Sequence, residues 1–192
     1  MSRIGVLGGT FNPVHIGHLM IAQWAKEKMR LDKVIFVPAN LPPHKDVKEV
    51  VSSKDRYKMV QLAVGGNSSF SVSDFEIKRQ GKSYTIDTMR YFDRCYPKNT
   101  KLFFIVGGDM TSQLKNWRYI KDILKIASFI VVNRPGRHRK NTEIKHSPVV
   151  MPAIDISSSY LRQRIAQKKT TKYFIPDKVR QYIDQHKLYQ TQ

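Results

Sequence analysis

Cysteine is nearly missing: the chain of 192 residues contains one, Cys95. A single thiol excludes an internal disulfide framework and leaves no cysteine partners for a zinc cluster. No apolar run approaches the roughly 18 residues a membrane-spanning helix needs. The start of the chain, Ser2-Arg3-Ile4-Gly5-Val6-Leu7, runs directly into a glycine-rich turn without the long apolar stretch of a signal peptide. A cytoplasmic protein without a membrane partner is expected. Acidic residues are scarce too, with 15 Asp plus Glu against 34 Lys plus Arg and a formal net charge of +19. Such a field draws polyanions, so nucleic acid, nucleotides and phosphorylated metabolites are all admissible partners, although the same charge also suits a solvated face.

Hydrophobic residues at 41% and charged residues at 26% match an ordinary globular composition, so disorder and collagen-like repeats are excluded. The length fits one domain with a sizeable core. Along the chain, Ile4-Gly5-Val6-Leu7 reads as a buried strand closed by Gly8-Gly9. An amphipathic helix follows from His18, with Leu19, Ala22, Ala25 and Met29 on its apolar side, and Val34-Ile35-Phe36-Val37 is the next strand. The alternation continues with a helix at 54–64, short strands at Phe70-Ser71-Val72 and Phe75-Glu76-Ile77, a helix at 84–96 and a buried strand at 102–106. A helical stretch passes through 114–117, a strand covers 129–132, residues 134–147 read as a loop, and helices at 157–167 and 176–188 close the chain. Neither an internal repeat nor a domain linker is visible. This order implies an α/β fold, a doubly wound, mostly parallel sheet with helices on both faces, whose ligand crevice lies beyond the carboxyl ends of the strands.

The richest segment runs Gly8-Gly9-Thr10-Phe11-Asn12-Pro13-Val14-His15-Ile16-Gly17-His18. Glycines at a strand end let a phosphate approach the backbone, a helix N-terminus offers unpaired amides, and two imidazoles three residues apart face one way. Together they suit an anion whose charge changes during phosphoryl transfer. The plainer alternative is a strand-to-helix turn with a core histidine. No Cys, His or carboxylate spacing nearby supports a protein-bound metal. Near the other end, Ser157, Ser158 and Ser159 open a helix with Arg162 one turn later, either a second phosphate site or an ordinary N-cap with a solvated arginine. Gly108 and Asp109 stand directly after a buried strand, where a backbone can approach an adenosine; Asp109 also suits a simple helix cap. Trp117 is either a stacking platform or core, and Trp24 is read as core.

These segments resemble the nucleotidylyltransferase superfamily, whose HIGH-type motif matches His15-Ile16-Gly17-His18. Pro42-Pro43-His44-Lys45, Ser83-Tyr84-Thr85-Ile86-Asp87-Thr88, Gly107-Gly108-Asp109 with Leu114 and Trp117, and Ile156-Ser157-Ser158-Ser159-Tyr160-Leu161-Arg162 narrow the resemblance to the bacterial nicotinate mononucleotide adenylyltransferases. The likeness spans nearly the whole chain in order. It implies a single nucleotidylyltransferase domain over 1–192, with the helices from about 157 completing the ATP site. It also implies transfer of the adenylyl group of ATP to nicotinate mononucleotide, with magnesium accompanying ATP and pyrophosphate released. By resemblance, His15, His18 and Arg162 are catalytic. Gly8, Gly9, Thr10, Phe11, Gly108, Asp109, Ile156, Ser157, Ser158 and Ser159 join them in holding ATP, while Asn40, Lys45, Thr85 and Trp117 hold the mononucleotide.

Three positions depart from the family pattern: Asn12 replaces a common Asp, Ser159 a common Thr, and Arg118 follows Trp117 where many relatives carry an aromatic. Long basic side chains usually stay hydrated, so the Arg118 guanidinium is expected in solvent. The neighbouring enzyme reading is a pantetheine-phosphate adenylyltransferase, which shares the first and serine motifs but lacks the Pro-Pro-His-Lys and Ser-Tyr-Thr segments. From a different class, the charge permits a nucleic-acid-binding module on the same fold. Binding alone does not require two nucleotide motifs at opposite ends of the chain, and the basic stretches lack the interleaved aromatics of base stacking. Nucleic acid is therefore not the expected partner, and a homo-oligomer is admissible.

Overall fold

The computed structural model describes residues 1–41, 50–133 and 143–190. β1 (Arg3–Gly9), α1 (Ile16–Lys28) and β2 (Lys33–Pro38) form the first crossover. α2 (Ser53–Val64), β3 (Phe70–Val72), α3 (Phe75–Arg79), α4 (Thr85–Cys95) and β4 (Lys101–Gly107) follow. A 3-10 segment (Gly108–Asn116), α5 (Ile120–Ile126), β5 (Ala127–Asn133), β6 (His146–Val150), α6 (Ser158–Ala166) and α7 (Asp177–Gln185) complete the order. The six strands pair in the order β3-β2-β1-β4-β5-β6, and every pairing is parallel.

Side chains alternate across this sheet with a period of two, which gives it two buried faces. Leu7, Phe36, Ile105 and Ile130 point to a core packed by α1, α2, α6 and α7. Val6, Ile35, Phe104 and Phe129 point to the opposite core, packed by α4, α5 and the 3-10 segment. Strand order reverses between β1 and β4, so the crevice at their carboxyl ends is the place this topology reserves for a ligand. Among the described residues, no helix is long and apolar enough to cross a membrane.

The expected alternation holds along most of the chain, with four differences. Phe75-Glu76-Ile77 is helical, because the Phe75 ring stacks on Tyr91 of α4 at 4.1 Å and Glu76 turns inward to Thr88. The stretch through Leu114 is a 3-10 helix rather than an α-helix. α5 escaped the sequence reading altogether. The loop expected to end at 147 gives way to β6 at His146; Pro148 sits in that strand because an edge strand tolerates a missing amide.

Candidate active site

A cavity of about 690 Å³ opens at the carboxyl ends of β1 and β4. Its wall brings together Gly8, Gly9, Thr10, His15, His18, Thr85, Asp109, Trp117, Ile156, Ser157, Ser158 and Ser159. These positions come from both ends and the middle of the sequence. Phe11 lies beneath the cavity instead: its buried ring meets the His18 ring edge-on at 5.0 Å and supports it from below.

The two imidazoles are fixed by the start of α1. His15 occupies the N-cap position with extended backbone, and its N–H donates to His18 Nδ1 at 3.2 Å. A ring that accepts at Nδ1 carries its proton on Nε2, so His18 is set as an Nε2–H donor. The ring centroids are 3.8 Å apart, His15 being buried and His18 half-buried. Gly17 keeps this pair close, since a Cβ there would come within 3.0 Å of His15 Nδ1.

The serine motif docks onto the first motif. Ser158 Oγ donates to the Pro13 carbonyl at 2.9 Å, and Arg162 Nη1 donates to the Asn12 carbonyl at 3.1 Å. Ser157 Oγ accepts the Tyr160 N–H and caps α6. The N-terminus of α6 therefore borders the same volume as that of α1, where the Ile16 and His18 amides are taken by the Phe174 and His15 carbonyls at 3.0 and 2.9 Å. Arg162 is not in the cavity wall; its guanidinium is committed at least partly to holding the turn. Gly108 also sits off the wall, beside Asn133, whose side-chain Oδ1 would have to move to admit a Cβ there. Asn12 is buried, its Oδ1 accepting from the Val51 amide and from the Tyr189 hydroxyl at 2.9 Å. An aspartate could accept both bonds, so the asparagine at this position costs the site neither contact.

At the far end of the cavity, Thr85 begins α4 beside Ser83 and Tyr84. Trp117 meets Phe104 and Phe129 in T-shaped contacts at 5.6 and 5.9 Å, which hold its indole in one plane against the cavity. Asn40 does not line the cavity: its amide donates to Ser83 Oγ and its side chain to the Gly81 carbonyl. Lys45, in the Pro-Pro-His-Lys segment, lies outside the described residues. Arg118 is exposed, as expected, and its guanidinium also lies 5.0 Å from the Tyr84 ring centroid and 5.1 Å from that of Tyr119, at the cavity wall. Hydrogen bonding to the Tyr119 hydroxyl raises its pKa.

Two buried charged residues beside the cavity carry no local sequence signal. Arg56 of α2 is 1% exposed and donates to the carbonyls of Val51, Thr10 and Asn40 at 3.1, 2.9 and 2.8 Å. Burial pulls its pKa down, yet a guanidinium stays protonated in a protein. Glu76 lines the cavity and is nearly buried; burial pushes its carboxyl above the usual range, against the opposing pull of the Ser83 and Thr88 hydroxyls and the Arg79 charge. Farther out, Tyr182 donates to Asp55 Oδ1 at 2.8 Å and is pushed up to about 12 by burial and that bond, so it stays a donor.

Comparison with known proteins agrees with this geometry. The cytidylyltransferase-like family model matches residues 6–164. Proteins named probable nicotinate-nucleotide adenylyltransferase from Shouchella clausii and Oceanobacillus iheyensis are 44% and 42% identical over 189 residues, covering 98% of this chain and 97% of each relative. Plasmodium falciparum nicotinic acid mononucleotide adenylyltransferase complexed with NaAD superposes with a TM-score of 0.81 at 20% identity, covering 98% of both chains. At that identity the superposition speaks for the fold, while the full-length relatives speak for the branch. The chain belongs to the cytidylyltransferase-like family and, within it, to the nicotinate-nucleotide adenylyltransferases.

Proposed function

We propose that the chain transfers the adenylyl group of ATP to nicotinate mononucleotide, yielding nicotinate adenine dinucleotide and pyrophosphate, a step of NAD biosynthesis in the cytoplasm. One observation carries the reading: the Ser158 and Arg162 bonds to Pro13 and Asn12 join two helix N-termini, about 150 residues apart in sequence, around a single cavity. One anion site can hold a phosphate. Two that converge, with a donor imidazole between them, suit a triphosphate that must be bent and cleaved at its α-phosphorus.

The Gly8-Gly9-Thr10 turn, Gly108, Asp109 and Ile156 are assigned to the adenosine side, supported from beneath by Phe11. Ser157, Ser158, Ser159 and Arg162 are assigned to the triphosphate. A phosphate oxygen of the mononucleotide attacks the α-phosphorus, a new P–O–P bond forms, and the α–β bond breaks with its electron pair leaving on pyrophosphate. His18 donates to the α-phosphoryl oxygens and His15 serves the departing side. Because the nucleophile belongs to the substrate, no residue is covalently modified. Trp117 offers its face to the pyridinium ring, the Thr85 amide and hydroxyl meet the nicotinate carboxylate, and Asn40 and Lys45 are assigned to the mononucleotide. Magnesium neutralises charge on the triphosphate. Mg2+ usually keeps waters and takes substrate phosphates as ligands rather than a protein cage, and among the described residues no three metal-ligating side chains come together. Neither nucleic acid nor a membrane is needed, and a homo-oligomer is compatible.

Hydrogen exchange tests the placement. An uncleavable ATP analogue with magnesium is expected to slow exchange at the amides of residues 8–10 and 157–159 together. Slowing confined to one of the two segments would contradict a single ATP site built from both.

A further inference from the structure

Glu76 is a buried carboxylate for which the chemistry above has no use. It is 7% exposed and forms cavity wall beside Ser83, Tyr84 and Thr85. The Thr88 hydroxyl donates to its Oε1 at 2.5 Å, and the Ser83 hydroxyl hydrogen-bonds the same group. Ser83 Oγ in turn accepts the Asn40 N–H at 3.0 Å. One carboxylate on α3 thus links the approach to α4, the first turns of α4 and the residues that follow β2. An apolar side chain would fill this space without the penalty of a buried charge, so a directional role accounts for the carboxylate better than packing does.

We propose that Glu76 is a positioning residue for acid recognition: by orienting the Ser83 and Thr88 hydroxyls it fixes the first turn of α4 so that the Thr85 amide faces the carboxylate of the acceptor. The inference rests on the adenylyl-transfer reading with a nicotinate acceptor. Protonation converts one carboxylate oxygen from acceptor to donor and releases a hydroxyl. Acid recognition therefore weakens as pH falls through the Glu76 pKa, which burial sets above the ordinary carboxylate value. The charged groups facing Glu76 are Arg79 of its own helix, Asp87 of α4 and Arg56 of α2. Arg79 and Asp87 are themselves an ion pair at 3.4 Å.

The test compares kcat and KM for nicotinate and nicotinamide mononucleotides at saturating ATP, from mildly acidic to neutral pH. The two acceptors carry the same phosphate and meet the same histidines, so the ratio of their kcat/KM values cancels those titrations. Glu76→Gln is expected to raise KM for nicotinate mononucleotide by roughly tenfold and lower the ratio by a similar factor, with kcat and KM for ATP nearly unchanged. In the wild type the ratio falls toward acid pH; in Glu76→Gln it is flat. Thr88→Val is expected to reproduce the loss and Thr88→Ser to retain wild-type behaviour, and this pair decides the matter if Glu76→Gln fails to fold. A folded Glu76→Gln with an unchanged ratio and pH profile overturns the role of Glu76 alone. A wild type that does not adenylylate nicotinate mononucleotide overturns the adenylyl-transfer reading, and the inference with it.

Discussion

His18→Ala is expected to lower kcat by on the order of 100-fold or more, with the thermal midpoint little changed. His18 is half-buried at the cavity wall, so its removal empties a surface that water can fill. Its Nδ1 already accepts from the His15 amide at 3.2 Å, which commits the Nε2 proton to donation. A donor aligned in advance strengthens its bond as charge builds on the phosphoryl oxygens, and it needs no reorganisation at the moment of transfer. The loss therefore falls on kcat more than on KM for ATP. His18→Gln, with an amide donor of different reach, is expected to recover part of the rate. Steady-state kinetics with a melting curve check this, and a folded His18→Ala at the wild-type rate would remove His18 from the mechanism.

Arg56→Ala is the substitution expected to damage the fold most. The guanidinium, itself 1% exposed, satisfies three backbone carbonyls from three separate segments. Truncation leaves those acceptors orphaned and opens a space the size of a long side chain. The two effects together are expected to destabilise by about 3–5 kcal/mol, or roughly 10 °C or more in Tm for a chain of this size. Because Thr10 lines the cavity and Asn40 bonds Ser83 in its wall, binding of both substrates should loosen as well. Lysine cannot substitute, since one ammonium does not span three carbonyls in a planar fork. A melting midpoint for Arg56→Ala within a few degrees of wild type would show that the carbonyls find other partners.

What was legible in the sequence was what is contiguous in it. The glycine turn, the imidazole pair and the serine cap each occupy a few successive residues whose geometry is set by one strand end or one helix start. Arg56 is the opposite case: its acceptors at residues 10, 40 and 51 meet only after β1, β2 and α2 have packed, and a lone arginine on a helix reads as solvated. Glu76 was hidden by its neighbours, because Phe75-Glu76-Ile77 alternates like a strand and only the Phe75 stack on Tyr91 makes it helical. β6 was concealed because its first residues close a basic, polar, turn-rich segment that reads as loop, and its Pro148 is tolerated only at a sheet edge. Arg118 is exposed, as its charge suggests, but the contact with the Tyr84 ring, 34 residues away in sequence, was not legible.

The adenylyl-transfer account is tested most directly by kcat/KM for pyrophosphate release from ATP and magnesium with nicotinate mononucleotide, nicotinamide mononucleotide and phosphopantetheine as acceptors. Amides at the start of α4 favour an acceptor-only carboxylate over an amide that must also place donors, a difference of about 1–3 kcal/mol. Nicotinate mononucleotide is therefore expected to lead nicotinamide mononucleotide by roughly 5- to 150-fold, with pyrophosphate and the adenylylated dinucleotide in equal amounts and no reaction with phosphopantetheine. Equal rates with the two mononucleotides, or a faster reaction with phosphopantetheine, would contradict it.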